Sequence, residues 1–340
     1  ALRPILEAAA RNRVFINFDM EQYRYKDLTI ALFQRCCEQI DFPAGIAIQA
    51  YLRSGPADAE RLIEWSRRTG RQVAVRLIKG AYWDYEVIHA RQMGWPVPVW
   101  TTKADTDACF EQMTSQFVNA IPRTKHEGGI KLALGSHNAR SISRARALLE
   151  AADLPAAALE FQILEGMADG LKQALVEANQ RVRTYVPLGE LIPGMAYLVR
   201  RLLENTSNES WLRESDQDLT DDRLLAAPQL SEVQPPTPRV TAGVEFANEP
   251  PRDFSDAGQR TSFAKAIQGV TLKSHRFCSV DDAEQAVTQA TLARHEWEGI
   301  PADERASVLE RVADMMALRR DDLSACIILE SGKTWACLLY

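Results

Sequence analysis

Between residues 13 and 189 short β-rich runs alternate with longer segments of helical period. This alternation restricts the chain to folds built from repeated βα units around a parallel sheet. The candidate strands are residues 14–19, 45–51, 72–79, 99–103, 131–136, 160–164 and 183–187. That makes about seven, where a closed (β/α)8 barrel of the TIM type needs eight. Between them, segments such as 57–69 place Ala59, Leu62, Ile63 and Trp65 close to a 3.6-residue period, so helices are expected to pack outside the sheet. No GxGxxG turn follows any of the strands, which argues against a dinucleotide-binding open sheet and favours the barrel.

After residue 205 the character changes. Residues 209–222 are rich in Glu, Asp and Ser, and residues 234–239 read Gln-Pro-Pro-Thr-Pro-Arg. Proline donates no backbone hydrogen bond and holds φ fixed, so this stretch reads as an extended connector. A second helical region opens at Ser279, which is spaced from Asp282 as a capping box, with Ala283, Ala286, Val287 and Ala290 as an apolar stripe. Pro301 stands where a helix can start, and Val308, Leu309, Val312, Met315 and Met316 continue at helical spacing. A third helix from about residue 321 ends near Gly332, beside Lys333. Three amphipathic helices without a sheet do not make a self-sufficient domain. The first residues lack an initiator Met and the pattern of a signal peptide, so the sequence reads as a segment cut from a longer protein at both ends.

The totals exclude several classes. Hydrophobic residues at 46% and charged residues at 25% are globular values, and no apolar run approaches the roughly 20 residues of a membrane-spanning helix. A soluble protein is expected. A net charge of −6, with no basic stripe interleaved with aromatics, leaves nucleic acid without a footprint. Cys36, Cys37, Cys109, Cys278, Cys326 and Cys337 show neither CxxC spacing nor the density of a disulfide scaffold, which fits a reducing cytosol.

In a barrel the loops that follow the strands build the site, so polar residues at strand ends carry the weight. Arg76 shares a strand face with Ile78 and needs an anion, a carbonyl or an electron-rich ring; snorkelling to solvent or a cross-strand salt bridge is the alternative. Lys79 is read either as a Schiff-base nucleophile of an aldolase or as an ordinary strand-end cation. Tyr197, Arg200, Arg201 and Glu204 fall on one helical face. They form either a solvated surface with a routine ion pair or a guanidinium fork, steadied by Glu204, for a small carboxylate. His137, in Gly-Ser-His-Asn, is an acid, a base, or a hydrogen-bond donor to cofactor or backbone. No second cluster has metal spacing, so no metal is expected.

The segments IQAY (48–51), RLIKGAYWD (76–84), SHNA (136–139), EFQIL (160–164) and YLVRRLLEN (197–205) resemble, in order and spacing, the proline dehydrogenase barrel of bifunctional proline utilization A flavoenzymes. The likeness continues through residues 243–249 into what resembles the opening helices of that family's aldehyde dehydrogenase domain. Its implied organisation is an α/β (β/α)8 barrel lacking its first strand over residues 1–212, a linker over 213–255, and the start of the second domain over 256–340. The resemblance implies noncovalent FAD, oxidation of L-proline to pyrroline-5-carboxylate, and a membrane quinone as electron acceptor, with NAD used only by the domain downstream. It further implies a bacterial cytoplasmic enzyme with peripheral contact to the inner membrane, assembled as a homo-oligomer.

Residue by residue, the resemblance gives catalytic roles to Arg76, Asp19 and Tyr82, with Arg76 beside the flavin. Arg200 and Arg201 would bind the proline carboxylate, and Tyr185, Tyr197 and Leu164 would enclose its ring. Gln49, Lys79, Gly80, Ala81, Trp83, Thr101, Lys103, Thr106, Ser136, His137, Gln162 and Glu204 match the family's flavin contacts. Gln22 stands where an acid is common, and Glu165 where a His is frequent. Against this enzyme reading stand a catalytically silent segment serving as a binding or assembly module, and the aldolase using Lys79.

Overall fold

The computed structural model describes residues 1–192, 194–195, 197–199, 225–231, 249–272 and 278–335. They fall into two compact units, residues 1–92 with 96–239 and residues 93–95 with 240–340.

The first unit opens with helix α1 (Arg3–Asn12) and strand β1 (Ile16–Phe18). It continues through α2 (Lys26–Gln39), β2 (Ala44–Gln49), α3 (Gly55–Thr69), β3 (Gln72–Ile78), α4 (Trp83–Met93) and α5 (Lys103–Val118). After these come β4 (Gly129–Gly135), α6 (Ala139–Ala151), β5 (Leu159–Leu164), α7 (Asp169–Glu177) and β6 (Arg181–Tyr185). All six strands run parallel and pair in chain order from β1 to β6.

Period-two patterning explains the two faces of this sheet. Val73, Val75 and Leu77 of β3, Ile130, Leu132 and Leu134 of β4, and Leu159, Phe161 and Ile163 of β5 are buried on one face. Ala59, Leu62, Ile63 and Trp65 of α3 and Cys109, Phe110, Met113 and Phe117 of α5 join the same core. Each large side chain so buried contributes about 1.5–3 kcal/mol. The helix starting at residue 55 has Pro56 in its first turn and stops at Gly70, whose φ of 67° satisfies the helix end at no steric cost. An ionic staple joins α2 to α3: Lys26 Nζ lies 2.7 Å from Asp58 Oδ2, 3.1 Å from Ser54 Oγ and 3.0 Å from Asp27 Oδ1. Burial pushes the thiols of Cys37 and Cys109 up to about 12 and about 11, so both are inert core side chains.

The opposite face is set by register. Ala47, Arg76, Ala133, Glu160 and Arg181 align across β2 to β6 in one row, and Gln49, Ile78, Gly135, Gln162 and Arg183 align in the next. This is the polar face.

The run expected as a strand over residues 99–103 is not one, so the described sheet has six strands rather than about seven. Pro96 and Pro98 lack the N–H groups a ladder needs, and Val99 makes only an isolated antiparallel bridge to Leu52. Thr102 then caps α5 by accepting a hydrogen bond from Asp105 N at 3.1 Å. Strand-like composition here serves a helix start. The other six runs are strands, with no end shifted by more than two residues.

In the second unit, helices α8 (Ala257–Gly269), α9 (Val280–Gly299), α10 (Ala302–Leu318) and α11 (Arg320–Ser331) follow one another. The capping box of Ser279 and Asp282 is formed, Pro301 is the N-cap of α10, and α11 ends at Gly332 with φ 66°. Phe254, Phe263 and Trp335 pack as an aromatic trio with ring centroids 5.1–5.4 Å apart. The expected apolar stripes are exposed: Val287 on α9, and Leu309, Val312, Met315 and Met316 on α10. The acidic run 209–222, the proline run 234–239, and Arg200, Arg201 and Glu204 lie outside the described residues.

Candidate functional site

A cleft of about 500 Å³ lies at the carboxyl ends of the strands in the first unit. Its lining includes each expected site residue that the structure describes. From the strands come Gln49, Arg76, Gln162, Leu164 and Tyr185, with Asp19 just beyond β1. The segment after β3 supplies Lys79, Gly80, Ala81, Tyr82 and Trp83, and the start of α5 supplies Thr101, Lys103 and Thr106. Ser136 and His137 follow β4, and Tyr197 comes from the segment after β6.

Arg76 is held from two sides. Its Nε donates to Gln162 Oε1 at 2.9 Å, and its Nη1 donates to Asp19 Oδ1 at 2.9 Å. The guanidinium carbon stands 5.9 Å from the centre of the Tyr185 ring, and the Tyr185 and Tyr197 rings lie 6.2 Å apart. Gln162 belongs to β5, two strands away from Arg76 on β3. At the level of Arg76 and Gln162 the intervening β4 presents Ala133 and Gly135 on this face, leaving room for the arginine to cross. Arg76 therefore does not snorkel to solvent: its carbonyl, ring and anion contacts fit the partnered reading, and its ion pair with Asp19 fits a cross-strand salt bridge as well.

The segment following β3 is tied in place by its backbone. Tyr51 N donates to Lys79 O at 2.7 Å, and Trp83 Nε1 donates to Trp100 O at 2.7 Å. Gly80 takes φ 134°, and a Cβ built on it would lie 2.6 Å from the ring of buried Tyr51, so only glycine fits. Lys79 is ion-paired with Asp107 on α5. That ammonium is engaged as a cation beside the cleft, which favours the strand-end reading of Lys79 over the Schiff base.

Gln49 is 1% exposed and donates from Nε2 to Met20 O at 3.3 Å and Glu21 O at 3.2 Å. Its Oε1 is buried with no partner among the described residues. His137 Nε2 accepts from Leu164 N at 3.1 Å. The imidazole is thus an acceptor toward the backbone at Nε2, where a donor was expected. Gln22 Oε1 is buried without a partner among the described residues, and Glu165 reaches Lys172 at 3.6 Å.

Two contributors escape a reading of strand ends. Asp107 sits inside α5 and meets Lys79 only through the fold. Glu160 points to the polar face of the sheet, accepts from Gln162 Nε2 at 2.8 Å and Arg183 Nε at 2.7 Å, and is ion-paired with Arg181 Nε at 3.0 Å. Burial alone would raise its carboxyl, but hydrogen bonds from Arg183 and Gln162 and the charges of Arg183 and Arg181 outweigh it and hold the group below the usual range. The alternation in Glu-Phe-Gln-Ile-Leu did place Glu160 on the same face as Gln162.

A parallel α/β sheet with cations, amides and aromatic rings gathered at its strand ends defines an active-site cleft of the barrel class. The family model described as proline dehydrogenase matches residues 1–214, and one described as aldehyde dehydrogenase family matches residues 255–338. The chain belongs to the proline dehydrogenase family. The bifunctional protein PutA of Klebsiella aerogenes is 27% identical over 98% of this chain and 29% of its own length. Proline dehydrogenase 1 of Bacillus subtilis (strain 168) is 25% identical over 62% of this chain and 61% of its own length. The crystal structure of proline utilization A from Bdellovibrio bacteriovorus, inactivated by N-propargylglycine, superposes with a TM-score of 0.83 at 38% identity, covering 99% of this chain and 39% of that one. The first unit is accordingly a half-barrel of six parallel strands. The chain spans about 29% of the length of the PutA proteins it matches.

Proposed function

We propose that this chain carries the proline-oxidising site of a bifunctional proline catabolic enzyme. In this reading L-proline is converted to pyrroline-5-carboxylate on noncovalent FAD, electrons pass to a membrane quinone, and a downstream NAD-dependent domain completes the route to glutamate. The observation that carries it is Arg76, fixed by Asp19 and Gln162 within a cleft whose lining contains every expected contact that lies among the described residues. The organisation proposed is a barrel segment to residue 212, a connector to 255, and the start of the aldehyde dehydrogenase domain beyond. A cytoplasmic protein touching the inner membrane peripherally fits; among the described residues no helix is long and apolar enough to cross a membrane.

The residues present fit a flavin. Gln49 offers a buried acceptor with no partner among the described residues, Lys79 and Lys103 bring cations to the cleft for phosphate, and Trp83 and Tyr82 bring flat apolar surface. When bound, the flavin supplies a ring that takes hydride from the proline carbon next to nitrogen. Arg76 places positive charge where negative charge develops. Asp19 and Gln162 hold it there, so no reorganisation is needed during reaction. Arg200 and Arg201 clamp the substrate carboxylate, while Tyr185, Tyr197 and Leu164 enclose the pyrrolidine ring and exclude water.

Purification of the full chain followed by visible spectroscopy tests the reading. A bound-flavin spectrum bleached by L-proline is expected, and Arg76→Met should slow the bleaching by about 100-fold or more, the scale of a lost charge-stabilising donor. A chain that takes up no flavin, or whose flavin ignores proline, refutes it. Borohydride trapping of a carbonyl substrate on Lys79 would instead establish the aldolase.

A further inference from the structure

We infer that Glu160 is a positioning residue that sets the orientation of Arg76 through the amide of Gln162, and this inference rests on the flavin reading above. Glu160 does not line the cleft; on the polar face of the sheet it shares the row of Arg76 and lies one row below Gln162. Its carboxylate, 11% exposed, gathers Gln162, Arg183 and Arg181.

The argument turns on donor and acceptor chemistry. An ionised carboxylate only accepts, and a guanidinium only donates. Gln162 stands between the two and satisfies both in one orientation alone, with Nε2 toward Glu160 at 2.8 Å and Oε1 toward Arg76 Nε at 2.9 Å. Turning the amide over would set NH2 against Nε–H on one side and oxygen against carboxylate on the other. Glu160 thereby locks a carbonyl acceptor in front of Arg76. With Nε pinned by Gln162 and Nη1 tied to Asp19, the plane of the guanidinium is fixed relative to the cleft. Arg183 and Arg181 both pair with Glu160, so the loss of one leaves the other beside the carboxylate, and the relay to the site runs from Glu160 itself.

A purely structural account makes Glu160 only the counter-ion of Arg183, and the two accounts separate experimentally. Glu160→Gln lets the two amides choose either orientation; Arg183→Met weakens the ion pair but leaves Gln162 facing the carboxylate. The readouts on the flavin-loaded full chain are the affinity of sulfite for the bound flavin, which senses positive charge at its reactive nitrogen, and kcat and KM for proline. E160Q should weaken sulfite binding about tenfold and lower kcat about tenfold with KM held within about twofold, whereas R183M should lower the thermal midpoint and leave sulfite affinity at the parent value. Glu160→Asp keeps the carboxylate that faces Gln162 and should hold sulfite affinity to within about threefold of the parent, a test that stands even if E160Q alone fails to fold. Parent-like sulfite binding in E160Q, the same loss in R183M, or a Glu160→Asp variant that is tenfold weak overturns the inference while leaving the flavin reading intact. A chain without flavin sinks both, and is recognised at the first spectrum.

Discussion

Gly80→Ala tests whether the segment following β3 is shaped by backbone necessity. Two costs add at this position. A φ of 134° is strained for any residue with a Cβ, at roughly 1–3 kcal/mol. The added methyl would also meet three atoms of the Tyr51 ring at 2.6 Å, and Tyr51 is 2% exposed inside the core, so overpacking adds about 1–3 kcal/mol. A total near 4 kcal/mol corresponds to roughly a 12 °C fall in midpoint for a unit of this size. The assay is thermal unfolding of the full chain, parent against variant, followed by the same substitution in a Tyr51→Ala background. Removing the ring deletes the clash and leaves the strain, so the cost of Gly80→Ala should shrink there by about 1–3 kcal/mol. A variant that unfolds within about 2 °C of the parent refutes the strain and the clash together. An unchanged cost without the ring refutes the clash alone.

Removing the carboxylate with Asp58→Ala strands Lys26 against Asp27 and Ser54 and should cost about 2–4 kcal/mol in urea unfolding, most of it recovered by Lys26→Met with Asp58→Leu. Thr102→Ala removes the N-cap of α5 and should lower stability by about 1 kcal/mol, with Thr102→Ser close to the parent in the same assay. Glu160 and Asp105 both titrate below their ordinary values; for Asp105 burial pushes up, but hydrogen bonds from Ser231 and Thr102 prevail. Their folded forms favour the ionised state, so the stability they lend is full above the unfolded carboxylate range near pH 4 and lost as pH falls through the folded values. Midpoints measured from pH 6 down to about 3 should therefore fall less steeply in Glu160→Gln than in the parent, and equal slopes would contradict this.

Much of the half-barrel was legible because its strands alternate so cleanly. Val73, Val75 and Leu77 against Ala74, Arg76 and Ile78 declare both faces of β3 without any partner in view. Residues 99–103 misled because a β-branched run composes equally well a strand or a helix entry, and the prolines at 96 and 98 decide between them. A parallel sheet delivers every strand end to one place, which made Arg76, Lys79 and His137 legible from the strands, while the rest of the cleft's lining was legible through the family resemblance. What stayed hidden was anything that depends on register. Glu160 is two residues from Gln162 in sequence, but its partners Arg181 and Arg183 meet it only when β5 and β6 align. Asp107 and Lys79 likewise lie 28 positions apart on a helix and a strand end, and no local pattern predicts that they touch.

The chain-order pairing of the sheet has a consequence for biosynthesis. Each strand docks on the one made just before it, as when Gly45 aligns with Ala74 or Leu132 with Leu159, so no strand waits for a distant later partner. A nascent chain leaving the ribosome can add one βα unit at a time, each covering the edge that its predecessor left open. Among the described strands the edges exposed at any moment are β1 and the newest strand, and a pause in translation just after β3, before residues 129–135 emerge, is where unpaired backbone and a still uncovered Arg76 face the solvent together.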